Sequence, residues 1–200
     1  MYDKKLFIRS ILLSILSICI FWSLSCFSAT GATESEKTKT ISTGMNLPQF
    51  TLDAPGSENE QKYLGLTELK PFSLSQISAK IIVLELFGIY CPHCRKQAPE
   101  LNKVYSFIKN DPQLSNGIKM VGIGAGAHKK QVASWKATLH VPFPLFPDPE
   151  TTIWQKFGKP GVPCTLIVSD TGKVLATHLG HTEDIEEFFR QIKKFYFEQK

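Results

Sequence analysis

Cysteine is scarce in this chain of 200 residues, which contains only five. Cys19 and Cys26 belong to an apolar N-terminal stretch, so the rest of the chain has Cys91, Cys94 and Cys164. Because three thiols are an odd set, they cannot form a framework of structural disulfides. The composition therefore leaves one possible working pair and one remaining thiol.

A large excess of charge is also lacking. The formal net charge is +5. When the N-terminal Lys4, Lys5, Arg9 and Asp3 are left out of the count, 20 basic and 17 acidic side chains remain. So small an excess gives no reason to expect nucleic acid or another polyanion as a partner. Internal repeats are also absent from the sequence.

The N-terminal residues resemble a targeting segment. Residues 1–28 have a basic start followed by the apolar run Ile11 to Phe27, which is typical of a secretory signal peptide or an uncleaved membrane anchor. About 17 residues is the lower limit for spanning a bilayer, so both alternatives stay open, as does lipidation at Cys26. Residues 29–45 are small and polar and predict a flexible linker, followed by one domain at 46–200. We expect a periplasmic or other extracytoplasmic location, and an uncleaved N-terminal segment would anchor the domain to the inner membrane.

The stretch from Ile81 to Glu100 carries the strongest signal. Its apolar start, Ile81 to Gly88, predicts a strand buried on both faces of a sheet. Pro92 then fits the beginning of a helix, as its second residue, which would place Cys91 at or near the N-cap and Cys94 in the first turn. Helix N-termini stabilise thiolates, and residues three apart can close a disulfide. The pattern predicts a redox pair with Cys91 as the nucleophile, and His93 can add a donor or a positive charge beside it.

These residues resemble a known family. The buried strand, the Cys-Pro-His-Cys sequence, Glu85 six residues before Cys91 and Pro99 five residues after Cys94 resemble a thioredoxin-like oxidoreductase. The run VLELFGIYCPHC resembles the DsbA-type active site, whereas the whole chain resembles the TlpA-like group of membrane-tethered proteins. The resemblance implies an α/β fold in which a central mixed β-sheet is flanked by helices, with an N-terminal hairpin and an extra helix and strand inserted.

The resemblance also implies roles for residues outside the cysteine pair. Glu85 matches the family's buried acid, which takes a proton as Cys94 becomes a nucleophile; the alternative is a glutamate at a strand edge that reaches water. Pro163 matches a cis-proline that faces the cysteines, and Val162 would offer its backbone to an extended substrate. The alternative there is a trans-proline at the first residue of a strand. Cys164 is either a small buried residue or a thiol close enough to influence Cys91.

Hydrophobic periodicity and turn residues predict the other elements. A short strand and turn follow Leu47, and Thr67 to Lys80 predicts an extended piece and a brief helix. After the active-site helix, which Pro99 should kink, the predicted elements are a strand at Ile118 to Gly124, a helix at Lys129 to Leu139, a strand at Phe143 to Phe146, a helix at Pro149 to Phe157, a β-hairpin from Thr165 to His178, and a final helix from Thr182 to Phe197 with its cap region at Thr182.

The sequence thus predicts an exported thiol-disulfide oxidoreductase without a cofactor or metal, acting on cysteines or disulfides of substrate proteins and served by a membrane or envelope redox partner. Its His93 favours oxidation or isomerisation of substrates, whereas the TlpA-like frame favours reduction. A copper metallochaperone is one alternative, because C-x-x-C pairs bind metals. A peroxiredoxin-like peroxide reductase is another, although Gly88 stands where that family has threonine. The run Gly122 to Ala127 satisfies G-x-G-x-x-A, but it follows the second core strand, so nucleotide binding is not expected.

Overall fold

The computed structural model describes residues 39–199 and contains a five-stranded sheet and a separate two-stranded sheet. The predicted leader at 1–28, with Cys19 and Cys26, and most of the predicted linker lie outside the described residues. The elements in chain order are β1 (Thr51–Leu52), α1 (Glu58–Leu64), β2 (Phe72–Ser73), a 3-10 turn (Leu74–Gln76), β3 (Ile81–Phe87), α2 (Pro92–Asn110), β4 (Ile118–Ala125), α3 (Lys129–Thr138), β5 (Leu145–Asp148), α4 (Thr152–Lys156), β6 (Cys164–Ser169), β7 (Val174–Leu179) and α5 (Ile185–Glu198).

The five-stranded sheet is mixed, as predicted. Its strand order is β5-β4-β3-β6-β7, with β3, β4 and β5 parallel and with β6 and β7 antiparallel to their neighbours. Strand β3 lies in the centre, and all seven of its residues are buried. Burial on both faces explains why its sequence is apolar without alternation. The inserted elements between β4 and β6 are α3, β5 and α4.

Each face of the sheet has its own hydrophobic core. Because successive side chains of a strand point to opposite faces, Val83 and Phe87 pack with helix α2 in one cluster. Leu84 and Leu86 belong to the other cluster, which contains residues of β1, β2 and α4. The sheet therefore separates the helix that begins at the cysteine pair from strands β1 and β2.

Helix α1 was not predicted, and it lies between the two strands of the expected N-terminal hairpin. Strands β1 and β2 pair in antiparallel register. The start of α1 has a sequence signal, since the Ser57 side chain accepts a hydrogen bond from the Glu60 N–H at 3.3 Å. Gly65 ends the helix with φ of 70°, a left-handed conformation that glycine adopts at low cost. An S-x-x-E capping pattern followed by glycine could have identified this helix.

The end of the predicted linker is packed against the domain, so the boundary expected at residue 46 lies too late. Ile41 is only 3% exposed, and its N–H donates to the Phe157 carbonyl at 2.8 Å. Gly44 N–H donates to the Val174 carbonyl, and Val174 N–H donates back to Met45, both at 2.8 Å. One apolar residue in a polar run has no periodicity, so this contact could not be predicted from the sequence.

Three further boundaries differ from the predicted ones. Strand β5 begins two residues later than predicted, and α4 is shorter. Helix α5 is capped by Asp184, whose Oδ1 accepts from Glu187 N–H at 2.8 Å, and not by Thr182. The backbone N–H of Thr182 instead donates to Gln97 Oε1 at 2.8 Å. A tertiary contact with α2 therefore fixes Thr182 outside the helix.

Helix α2 is continuous across Pro99. Among residues 39–199, none of the helices combines the length and apolar character needed to cross a bilayer.

Candidate active site

The two cysteines lie where β3 gives way to helix α2. Cys91 is the N-cap residue, with extended backbone angles of φ −83° and ψ 117°, and Pro92 is the first helical residue. That position is one earlier than predicted and suits proline, because the first N–H groups of a helix have no partner within the helix. Cys91 Sγ accepts a hydrogen bond from the backbone N–H of Cys94 at 3.3 Å. The sulfur thus occupies the place of a capping oxygen, where a negative charge is stabilised.

The two thiols differ sharply in accessibility. Cys91 is partly exposed, whereas Cys94 is fully buried and receives a hydrogen bond from Gly88 N–H at 3.4 Å. Burial raises the pKa of the Cys94 thiol, and the neighbouring Cys91 and Glu85 act in the same direction. A substrate sulfur can therefore reach Cys91 first, and Cys94 stays protonated until a base takes its proton.

Glu85 lies on the face of the sheet that carries Cys94. It is 5% exposed and sits on central strand β3, between Val83 and Phe87 of the same core. The alternative of a glutamate at a strand edge does not fit this position. Desolvation raises the pKa of the carboxyl to about 8, because burial disfavours the charged form. Near neutral pH the group is therefore close to the point where it can give or accept a proton.

Val162 and Pro163 approach the cysteine pair from the loop before β6. The Val162–Pro163 peptide bond is cis, as the family resemblance implies. The Cys91 thiol donates to the Val162 carbonyl at 3.4 Å. A Cβ on Gly88 would lie 3.4 Å from Val162 Cγ2 and 3.6 Å from Cys91 Cβ, so the two loops pack closely around this glycine.

Cys164 lies on the opposite face of the sheet from Cys94. It is fully buried in the cluster with Leu86 and Leu166, and Leu86 is its cross-strand partner. Burial raises the pKa of its thiol to about 12. The sequence left open a small packing residue or a thiol that influences Cys91. The position favours the packing residue, because Cys164 belongs to the cluster on one face of the sheet and Cys91 packs against the cluster on the other.

The other predicted residues are placed as follows. His93 is the second residue of α2 and is exposed beside the cysteines. Two glycines of the G-x-G-x-x-A run are needed for packing, because neighbouring side chains leave no room for a Cβ. A Cβ on Gly122 would lie 2.5 Å from Leu145 Cδ2, and one on Gly124 would lie 3.0 Å from Ala127 Cβ. In the described part of the chain, no three His, Cys, Asp or Glu side chains cluster so as to hold a metal ion.

Several residues near the site were missed from the sequence. Thr165 is the cross-strand partner of Glu85, and its buried hydroxyl has no hydrogen-bond partner among the described residues. Tyr90, directly before Cys91, is 87% exposed. The Arg95 guanidinium lies 5.5 Å from the centre of the Trp135 ring. Each feature depends on a contact between distant elements or on exposure, and neither is visible in local patterns.

Comparisons with known proteins find thiol-disulfide oxidoreductases among the relatives of this chain. ResA of Bacillus subtilis, a thiol-disulfide oxidoreductase, is 24% identical over 192 residues, which cover 95% of this chain and 94% of the relative. ResA of Halalkalibacterium halodurans is 23% identical over 128 residues, covering 63% and 70% respectively. The crystal structure of a putative thiol:disulfide interchange protein DsbE from Chlorobium tepidum has a TM-score of 0.62 at 21% identity, covering 79% of this chain and 99% of the other.

A secreted Mycobacterium tuberculosis disulfide oxidoreductase gives a TM-score of 0.55 at 20% identity, covering 73% of this chain and 96% of the other. At these identities the solved structures establish a shared fold. The sequence profile of the AhpC/TSA family matches residues 43–177, more than half of the chain. The protein therefore belongs to the AhpC/TSA family and has its thioredoxin-like fold.

Proposed function

We propose that this thiol-disulfide oxidoreductase acts outside the cytoplasm, where Cys91 and Cys94 exchange a disulfide or dithiol with cysteines of substrate proteins. One observation carries the proposal: a partly exposed thiol at a helix N-cap has a buried thiol and a buried carboxyl behind it. The names of relatives such as ResA support the same chemistry. The pair has distinct positions for attack and resolution, because Cys91 is partly exposed and Cys94 is buried behind it.

In the reducing direction, the Cys91 thiolate attacks one sulfur of a substrate disulfide. A Cys91–substrate disulfide forms, and the other substrate sulfur leaves as a thiolate that takes a proton from water. The Cys94 thiol then gives its proton to ionised Glu85 and attacks Cys91 Sγ. The second substrate thiolate leaves, and the enzyme holds the Cys91–Cys94 disulfide. The substrate gains two electrons, and the cysteine pair loses them.

In the oxidising direction, a substrate thiolate attacks Cys91 Sγ of the disulfide, and Cys94 is the leaving group. Protonated Glu85 gives its proton to the departing Cys94 sulfur. A second substrate thiol, after losing its proton, attacks the substrate sulfur of the mixed disulfide and releases the Cys91 thiolate. A pKa of about 8 suits both directions, because each protonation state of Glu85 is populated near neutrality.

Val162 serves as the backbone partner of the substrate in this proposal. Its carbonyl lies 3.4 Å from Cys91 Sγ, so an extended substrate whose sulfur reaches Cys91 passes beside it. Strand-like pairing with the substrate backbone then holds the two sulfurs in line without reading a particular side chain. Pro163 fixes the loop that presents this carbonyl.

The location and the redox partner are also part of the proposal. The predicted leader at residues 1–28 would export the domain or tether it to a membrane, and disulfide chemistry is useful in an oxidising compartment. A membrane or envelope redox partner must reset the cysteine pair after each cycle.

The test measures turnover and potential on the same protein. We expect the wild type to accelerate reduction of insulin by dithiothreitol, and we expect Cys91→Ser to abolish that acceleration. Equilibration of the pair in glutathione buffers then assigns the direction, since about −120 mV marks an oxidant and about −270 mV a reductant. Absence of thiol exchange, combined with stoichiometric Cu(I) binding, would instead support a metallochaperone. Turnover of hydroperoxide without protein disulfide exchange would support a peroxide reductase.

A further inference from the structure

A groove beside Cys91 has no role in the mechanism above. It is a cavity of about 220 Å³ between the start of α2 and the length of α3, lined among others by Ile89, Tyr90, Arg95 and Trp135. Trp135 is nearly buried and provides an apolar floor, whereas Tyr90 is 87% exposed at the rim. Gln131 on α3 donates to the Tyr90 hydroxyl at 3.5 Å, which links the rim to the far wall. The groove therefore begins at the residue next to the attacking cysteine.

Arg95 places a positive charge in this groove. Its backbone N–H donates to the Cys91 carbonyl at 3.2 Å, so it lies one helical turn after the cysteine. Its exposed guanidinium lies 5.5 Å from the Trp135 ring centre, a cation–π contact that restricts the side chain. Arg95 forms no salt bridge with any residue in the described range 39–199. The charge is thus held in position and is free to pair with another molecule.

Three further cations lie outside the groove, beside Arg95 in the sequence or at the start of α3. Lys96 follows Arg95, and Lys129 and Lys130 open helix α3; all three are exposed. None of the residues that line the groove is acidic. Helices α2 and α3 also both begin after parallel strands, β3 and β4, so their positive N-terminal ends lie along one edge of the sheet. The potential there favours an anionic group.

Distance restricts which part of a substrate can reach the guanidinium. One helical turn separates the backbones of Cys91 and Arg95, about 6 Å along the axis, and the Arg95 side chain extends from there towards Trp135. A substrate in extended conformation advances about 3.3 Å per residue, so a side chain about two residues from its reactive cysteine lies at a similar distance. A glutamate or aspartate there can make a charge-assisted, bidentate contact with Arg95.

We propose that the groove selects substrates carrying an acidic side chain about two residues from the cysteine that Cys91 attacks, with Arg95 as the residue that recognises the carboxylate. The inference rests on the proposed thiol-disulfide exchange and names its substrate class. Arg95 determines specificity and does not touch the reacting sulfurs.

The experiment uses two fluorescent peptides, each with one cysteine held in a disulfide. They differ only at the positions two residues before and two residues after that cysteine. Both positions are glutamate in one peptide and lysine in the other. The second-order rate constant of the reduced protein is measured with each peptide and divided by the rate constant of dithiothreitol with the same peptide. This division removes differences in the peptides' own reactivity. We expect the wild type to favour the glutamate peptide about fivefold, the upper range for an exposed ion pair, and the preference to shrink at high salt.

Three variants make the test specific. Arg95→Glu should reverse the preference towards the lysine peptide, and Arg95→Gln should reduce it to the small remainder that the lysines outside the groove supply. Arg190→Glu, the same charge change on an exposed residue of α5, should keep the wild-type ratio. Any general change in Cys91 reactivity affects both peptides and cancels in the ratio. Exchange with both peptides at one ratio in the wild type and in Arg95→Glu would overturn the inference alone. Exchange with neither peptide would overturn the proposed function itself.

Discussion

Replacing Glu85 with glutamine should flatten a pH dependence of stability that the buried carboxyl imposes. Burial raises the pKa of Glu85 from 4.5 to about 8 in the folded protein, so the folded state binds this proton more tightly than the unfolded state does. The stabilisation from the protonated form is complete below pH 4.5 and is lost as the pH rises towards 8. Each pH unit across that window corresponds to about 1.4 kcal/mol. Between pH 5 and 8 the wild type should therefore lose roughly 3 kcal/mol through this one group.

Urea unfolding of the reduced proteins, followed by tryptophan fluorescence at several values of pH, measures this loss. The difference in unfolding free energy between Glu85→Gln and the wild type should grow in favour of the variant by roughly 3 kcal/mol from pH 5 to 8. Taking differences cancels the titration of shared histidines. Glu150→Gln, at an exposed glutamate, is the matched control and should show no such trend. A difference for Glu85→Gln that stays constant over this range would refute the claim that burial keeps the carboxyl protonated.

Three other substitutions test separate parts of the structure. Cys94→Ser should trap substrates as mixed disulfides on Cys91, because the resolving thiol is missing. Non-reducing gels of cell-envelope extracts would show adducts that Cys91→Ser lacks. Equal adducts in both variants would contradict the assignment of Cys91 as the attacking thiol. Cys164→Ala should leave insulin turnover within about twofold of the wild type, since its thiol lies on the other face of the sheet; a large loss would restore a redox role for it. Ile41→Ala should lower the free energy of unfolding by about 2–4 kcal/mol, because the side chain is buried, whereas a change near zero would match a flexible linker.

The local arrangement of the cysteine pair could be predicted from the sequence. An apolar run without alternation indicates a strand buried on both faces, and proline one residue after a cysteine indicates a helix start. These signals act over a few residues, so the positions of Cys91, Cys94 and Glu85 followed directly. The mixed sheet and the cis bond at Pro163 came from the family resemblance carried by the same motif.

The errors occurred where distant segments decide the structure. Thr182 does not cap α5 because Gln97 on another helix binds its backbone. Ile41 is packed because its N–H donates to the carbonyl of Phe157 and its side chain belongs to the cluster that contains Leu84 and Leu86. Such contacts leave no periodic trace, since their partners are more than 80 residues away in the chain.

The sequence alone determined that a cysteine pair lies at the junction of a buried strand and a helix, because capping, proline geometry and hydrophobic pattern are local. Only the tertiary structure decided which face of the sheet each remaining group occupies. Strand register places Cys164 away from Cys94 and Thr165 beside Glu85, and helix packing brings Arg95 onto Trp135 next to Cys91. Register and packing depend on contacts throughout the chain. The groove and the position of its charge therefore could not be predicted from local sequence patterns.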